Sequence, residues 1–149
     1  MTARVSIQTN DFDVSTELAA LQGQDLRVGA VCSFVGTVRD TRALTGQASD
    51  EVQALELEHY PGMTEAQLHT LAQAAASRHG AAAVLVHHRV GRVLPGEPIV
   101  LVAVAADRRG PALRCGQELL EALKHEAPFW KREWLADGRG HWVQGNTPL

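Results

Sequence analysis

A-A-V-L-V-H-H-R-V-G-R-V-L-P-G-E-P-I-V-L-V-A-V-A-A, residues 82 to 106, decides the fold. Two stretches rich in valine and leucine flank L-P-G-E, where the Pro95-Gly96 pair is a turn signal. They read as strands, Ala82 to Val93 and Pro98 to Ala106, folded back as an antiparallel hairpin. The second is almost unbroken apolar sequence, so it is expected at the centre of a sheet and buried on both faces. The first carries His87-His88. Adjacent strand residues point to opposite faces, so this pair cannot chelate one ion from one face. No H-E-x-x-H pattern occurs either, and no metal site is expected.

Toward the N-terminus, the pattern predicts an edge strand over Arg4 to Thr9 and a short helix over Asp13 to Gln22, with Val14, Leu18 and Leu21 on one face. Arg27 to Arg39 reads as a strand rich in Val and Phe. The polar run Asp40 to Asp50 reads as a mobile surface loop, either a plain connection or a lid beside a site. Glu51 to Tyr60 alternates as a half-exposed strand. Thr64 to Gln67 predicts a capping box, with Thr64 as N-cap, opening a helix that runs to about Arg78. Leu68, Leu71, Ala72 and Ala75 form its apolar stripe.

Toward the C-terminus, Pro111 suits the first position of a helix capped by Gly110, and Pro128 ends it. Its predicted stripe is Leu113, Gly116, Leu120 and Leu123. Phe129 to Leu135 alternates as a strand, and Gly140 to Gln144 is a last short one. Trp130, Trp134 and Trp142 are expected mainly as core residues, the alternative being that one of them borders a flat heterocycle. Strand pairs interspersed with three main helices predict one α+β domain over residues 1–149 with a largely antiparallel sheet.

The totals narrow the function. A chain of 149 residues with net charge −3 is no general nucleic-acid binder, so any anion site must be a local pocket. No run approaches the ~18 apolar residues of a membrane span, and the polar N-terminus has no apolar signal core. A cytoplasmic protein is the expectation. Cys32 and Cys115, far apart and in apolar segments, are expected as buried thiols.

The charged residues that matter flank the helix after Ala106. Arg108 and Arg109 precede its N-terminus, where free N–H groups and guanidiniums suit a phosphate or carboxylate; Arg39, at a strand end, can join them. Lys124 sits in its last turn and Lys131 follows in the next strand. Two ammoniums in one pocket depress each other's pKa, and burial adds to this, making either a proton donor, acceptor or nucleophile near neutral pH. The other reading of all five residues is ordinary surface charge. The two ends of the helix are expected to converge on one centre.

Three longer motifs carry a family likeness. L-E-H-Y-P-G-M-T-E (Leu57 to Glu65), H-R-V-G-x-x-x-P-G-E (His88 to Glu97) and L-K-x-x-A-P-F-W-K-R-E (Leu123 to Glu133), with F-x-G-x-V-R from Phe34 to Arg39, resemble the large, catalytic subunit of molybdopterin synthase. The resemblance spans nearly the whole chain in the right order. It implies an α/β hammerhead fold and a homodimer within a heterotetramer. It implies a small ubiquitin-like sulfur carrier as partner, whose C-terminal Gly-Gly thiocarboxylate enters the large subunit. It implies sulfur transfer to cyclic pyranopterin monophosphate, with no cofactor of the enzyme's own. Catalysis then falls on Lys124 and Lys131, and substrate binding on Phe34, Thr37, Val38, Arg39, Arg108, Arg109, Arg132 and Glu133. Arg108 stands where the family more usually has histidine, and Thr37 where it usually has lysine. Some relatives carry a longer basic tail that reaches the neighbouring subunit's site. The alternative is a dimeric scaffold that docks a β-grasp protein or a phosphorylated ligand without chemistry; a weaker one is a phosphoesterase using His88 and the arginines.

Overall fold

A computed structural model describes residues 1–23, 25–48 and 51–143. In chain order the elements are β1 (Thr2–Gln8), α1 (Val14–Gln22), β2 (Ala30–Thr37), α2 (Thr41–Thr45), β3 (Val52–His59), α3 (Met63–His79), β4 (Ala83–Arg89), β5 (Gly91–Val93), β6 (Pro98–Ala106), α4 (Arg109–Glu126), β7 (Phe129–Leu135) and β8 (Gly140–Trp142). The predicted α+β class and the three main helices are present. Ser49 and Asp50 of the expected loop, Gln144 of the expected last strand and the tail beyond it lie outside the described residues.

Two four-stranded sheets form, ordered β1-β4-β6-β2 and β5-β3-β7-β8. Among the described residues β1 with β4 is the one parallel pairing and the others are antiparallel. The hairpin of residues 82–106 is real: β4 and β6 pair from Ala83↔Ala105 to His88↔Val100. As its apolar run requires, β6 is central and buried from Ile99 to Ala106. Its partner does not stay in that sheet, however. The predicted strand Ala82–Val93 breaks at Val90, and Gly91, at φ 78°, turns the chain so that β5 joins β3 in the second sheet. A positive φ of this kind costs glycine little and other residues more.

On one face of the first sheet, α3 and α4 enclose the main core of Leu68, Val84, Val86, Val102, Val104, Cys115 and Leu119. On the other face α1 lays Val14, Leu18 and Leu21, with Phe12, over Leu85, Leu101 and Ala103. Asp13 caps α1 by accepting from the Thr16 amide at 2.8 Å.

Several local expectations shift. The cap of α3 is Gly62, not Thr64: Glu65 reaches back to the Gly62 amide at 2.6 Å. Thr64 is fully buried and its hydroxyl accepts instead from the Tyr60 amide at 3.0 Å. The loop after Arg39 is not wholly irregular, because Asp40 caps the short α2. The buried stripe of α4 is Ala112, Cys115, Leu119 and Leu123, one residue earlier than predicted over most of its length. Leu113, Gly116 and Leu120 form a second stripe along an open groove beside β2, and Leu113 is 56% exposed. Helix α4 begins at Arg109 with Arg108 as cap, so Pro111 falls in the first turn, where no intrahelical N–H is needed. Trp130 and Trp142 are exposed rather than core. Cys32 is half-buried and Cys115 fully buried, both as free thiols. No helix is long and apolar enough among the described residues to cross a membrane.

Candidate active site

The end of α4 is held by α3. Helix α4 stops at Ala127, extended at φ −76°, ψ 134°, because the following Pro128 disfavours a helical residue before it. The Gln67 side-chain amide donates to the Glu126 carbonyl at 2.8 Å, satisfying one of the carbonyls a helix end leaves open. Thr64 Oγ1 lies 3.4 Å from the Pro128 carbonyl. The chain therefore turns back sharply into β7, and residues seven apart in sequence come together.

On β7, Phe129, Lys131 and Glu133 sit opposite His59, Leu57 and Leu55 of β3. Lys131 joins Lys124, His88, Val100, Leu120, Leu123, Ala127 and Phe129 around a small cavity of about 40 Å³. This opens toward a larger one of about 370 Å³, which both lysines also line together with Phe34, Thr37, Val38, Arg39, Val52, Leu55, Glu133 and Val143. The β2 end is pinned by the predicted Pro-Gly turn: the Val38 amide donates to the Glu97 carbonyl at 3.0 Å, and the Gly96 amide to the Val38 carbonyl at 2.7 Å. Asp40 then binds the Arg42 and Val52 amides at 3.1 and 2.9 Å, which fixes the backbone on the far side of Arg39.

The electrostatics follow from the geometry. Burial, the neighbouring Lys124 charge and a hydrogen bond with Lys124 bring the Lys131 amine down from 10.5 to about 8. Such an amine exchanges protons near neutral pH without needing a metal or a second base. His88 is 6% exposed and its ring stacks on Phe129 with centroids 4.2 Å apart. Burial, against a hydrogen bond to the Arg89 backbone, and then the Lys131 and Lys124 charges hold it down at about 4. Burial also lowers His87, which faces the other way against Phe12. The two histidines thus face apart, as strand alternation requires.

Lys124, Lys131, Arg39, Phe34, Thr37, Val38 and Glu133 meet at these cavities. Three residues do not. Arg132 lies on the outer face of β7, its guanidinium 4.1 Å from the Trp142 ring and 5.3 Å from the Trp134 ring. Arg108 and Arg109 line a separate hollow with Gly110, Pro111 and Arg114. The expected convergence of the two ends of α4 fails within one chain, because a helix of 18 residues spans roughly 27 Å. Conversely, the sequence pointed to His88 only through the phosphoesterase alternative and did not point to Phe129, Val100 or Leu120 as lining residues. The alternation of His87 and His88 was the available signal: one of the two had to face inward.

Comparison with known proteins adds to this geometry. A family model described as "MoaE protein" matches residues 7–126. The molybdopterin synthase catalytic subunit of Ralstonia nicotianae is 46% identical over 143 residues, covering 96% of this chain and 78% of that protein. The structure of a molybdopterin biosynthesis MoaE protein from Burkholderia ambifaria is similar at a TM-score of 0.80 and 44% identity, over 100% of this chain and 93% of that one. A Helicobacter pylori chain, solved in a protein–protein complex of subunits 1 and 2 of molybdopterin-converting factor, shares the fold at a TM-score of 0.76 and 23% identity, over 96% and 92%.

Proposed function

This chain belongs to the MoaE family of molybdopterin synthase catalytic subunits, and from that premise we propose that it transfers sulfur from the C-terminal thiocarboxylate of a small ubiquitin-like carrier protein to cyclic pyranopterin monophosphate, building the dithiolene of molybdopterin. The observation that carries the reading is the meeting of Lys124 and Lys131 at one small cavity, with the Lys131 amine brought down to about 8. A thiocarboxylate drawn to this pocket meets at least one ammonium. A neutral amine beside it can take the proton released as the precursor ring opens, and an ammonium can give one to the oxygen that leaves. In each transfer the thiocarboxylate sulfur bonds to a precursor carbon and water cleaves its acyl C–S bond to the carrier, leaving the carrier with a carboxylate; two transfers complete the dithiolene.

The larger cavity suits the pterin precursor, with Arg39 on its wall and Phe34 as an apolar side. Arg108 and Arg109 are too far away in the same chain to bind its phosphate. We assign them that role in trans, in a homodimer formed across the exposed β2 edge. That edge leaves Val31, Phe34 and Val35 between 37% and 39% exposed, with Leu113 beside it. Two copies of this chain, each with its own carrier, make the heterotetramer.

The direct test supplies thiocarboxylated carrier and cyclic pyranopterin monophosphate and measures molybdopterin. Lys124→Ala is expected to abolish product while the circular dichroism spectrum stays native. Full activity in that variant would remove Lys124 from the mechanism. Tight carrier binding without conversion by the wild-type protein would return the scaffold reading.

A further inference from the structure

The imidazole of His88 is a buried group that the proposed chemistry leaves without a task. Its surroundings give it one. Nδ1 lies 2.8 Å from the Arg89 carbonyl oxygen. A carbonyl only accepts, so Nδ1 carries the proton and donates, and Nε2 is left as a lone pair. A half-turn of the ring would put Cδ2 where Nδ1 stands and give up that bond, so the hydrogen bond fixes which edge of the stacked ring faces the Arg89 carbonyl. A buried acceptor requires a donor. Among the residues that line the cavity with His88, only Lys124 and Lys131 carry side-chain donors; the others are Val100, Leu120, Leu123, Ala127 and Phe129.

We infer that His88 is a positioning residue for the lysine pair: its Nε2 accepts a hydrogen bond from a lysine ammonium, directly or through one water, and so fixes which lysine keeps the proton when the pair gives one up. The inference rests on the sulfur-transfer reading for its purpose, though not for its geometry. A cavity of about 40 Å³ has room for such a water. The charged and titratable groups that act on the pocket are Lys124 from α4, Lys131 from β7 and His59 from β3. Glu133 and Arg39 lie on the adjoining larger cavity. Arg89, next along β4, is turned to the Thr9 and Pro98 carbonyls and to Glu97. Among the described residues no acidic side chain lines the inner cavity, so a neutral imidazole is the acceptor at hand that does not add a third positive charge.

The test titrates the lysine side-chain amines by NMR in the full chain, with no substrate present. His88→Phe keeps an aromatic ring to stack on Phe129, at slightly larger volume, and removes the lone pair together with the Nδ1–H donor. An ammonium that loses its acceptor gives up its proton more readily, so the Lys131 midpoint is expected to fall by about one pH unit. His88→Gln, which restores an acceptor oxygen, is expected to stay near the wild-type value. An unmoved midpoint in folded His88→Phe, or an equal fall in His88→Gln, overturns the assignment. A measurement on the wild-type protein guards against variants that do not fold: its ring nitrogens at pH 7 are expected to show the neutral tautomer protonated on Nδ1. An imidazolium, or a proton on Nε2, overturns the assignment as well. In the assay with thiocarboxylated carrier, the acidic limb of the rate profile is expected to move with the lysine midpoint. If the wild-type protein makes no molybdopterin there, the sulfur-transfer reading falls, while the titration still decides the role of His88.

Discussion

Lys131 is a residue whose usefulness and cost have the same origin. Burial and the Lys124 charge bring its amine down to about 8 from 10.5. Between those two values the unfolded chain holds a proton that the folded chain has released, so stability rises with pH across that window. Below about 8 the penalty of a buried ammonium is present in full. Lys131→Met keeps an unbranched side chain, one atom shorter, and removes the charge. It is expected to raise the melting temperature at pH 7 by about 2–4 °C, a gain that shrinks as the pH approaches 10.5. The same variant is expected to lose at least about a hundredfold in molybdopterin formation. Calorimetry across pH, beside the activity assay, checks both halves; a variant less stable than wild type at pH 7 contradicts the account of the shift. Part of this was legible in sequence. Lys124 and Lys131 were identifiable as a pair because Pro128 had to stop the helix between them. The placement of Arg132 was legible too: alternation along Phe129 to Leu135 sets it on the face opposite Lys131, and only the family resemblance drew it into the site.

Among the elements, α4 shows most clearly what pattern can and cannot say. Its existence and its end at Pro128 follow from spacing and from proline chemistry. Its buried face was misplaced by one residue because two apolar stripes run side by side. Ala112, Cys115, Leu119 and Leu123 face the core, while Leu113, Gly116 and Leu120 face a groove. Nothing local distinguishes a stripe that meets the core from one that meets a groove. The C-terminus of α4 is positioned from outside by Gln67, one turn into α3. Gln67→Ala is expected to cost about 0.5–1 kcal/mol in urea denaturation and to lower kcat through a less fixed Lys124. Unchanged kcat with reduced stability would mean that the helix end is held by its other contacts. The split of residues 83–93 between two sheets was equally hidden, since Gly91-Arg92-Val93 continues the β-forming composition and its partners, Leu55 to Leu57, lie far back in the chain.

For the molecule as a whole, the distribution of charge and exposure argues that one copy is half a machine. The lysine cavity and the Arg108/Arg109 hollow occupy opposite ends of α4. Between them runs the apolar edge of β2, together with Leu113. Leu113 touches neither cavity with the lysines, so Leu113→Glu is a change to the edge alone. It is expected to shift the protein to monomer in sedimentation velocity and to reduce molybdopterin formation at least about tenfold, while the Lys131 titration stays at its wild-type midpoint. A monomer of full activity would show that the arginines are not needed in trans.

The strand that turns at Gly91 has one more consequence. Residues 83–89 hydrogen-bond in one sheet and residues 91–93 in the other, so a single short run of backbone is a member of both. Pulling either sheet apart strips partners from the other, and the cleft between them has no seam along which it can come undone by itself. Slowly exchanging amides of β6 and of β3 are therefore expected to report the same opening free energy under conditions close to native, as one cooperative unit rather than two. An enzyme that must admit a flexible tail and a small substrate would then open its rim without loosening its floor.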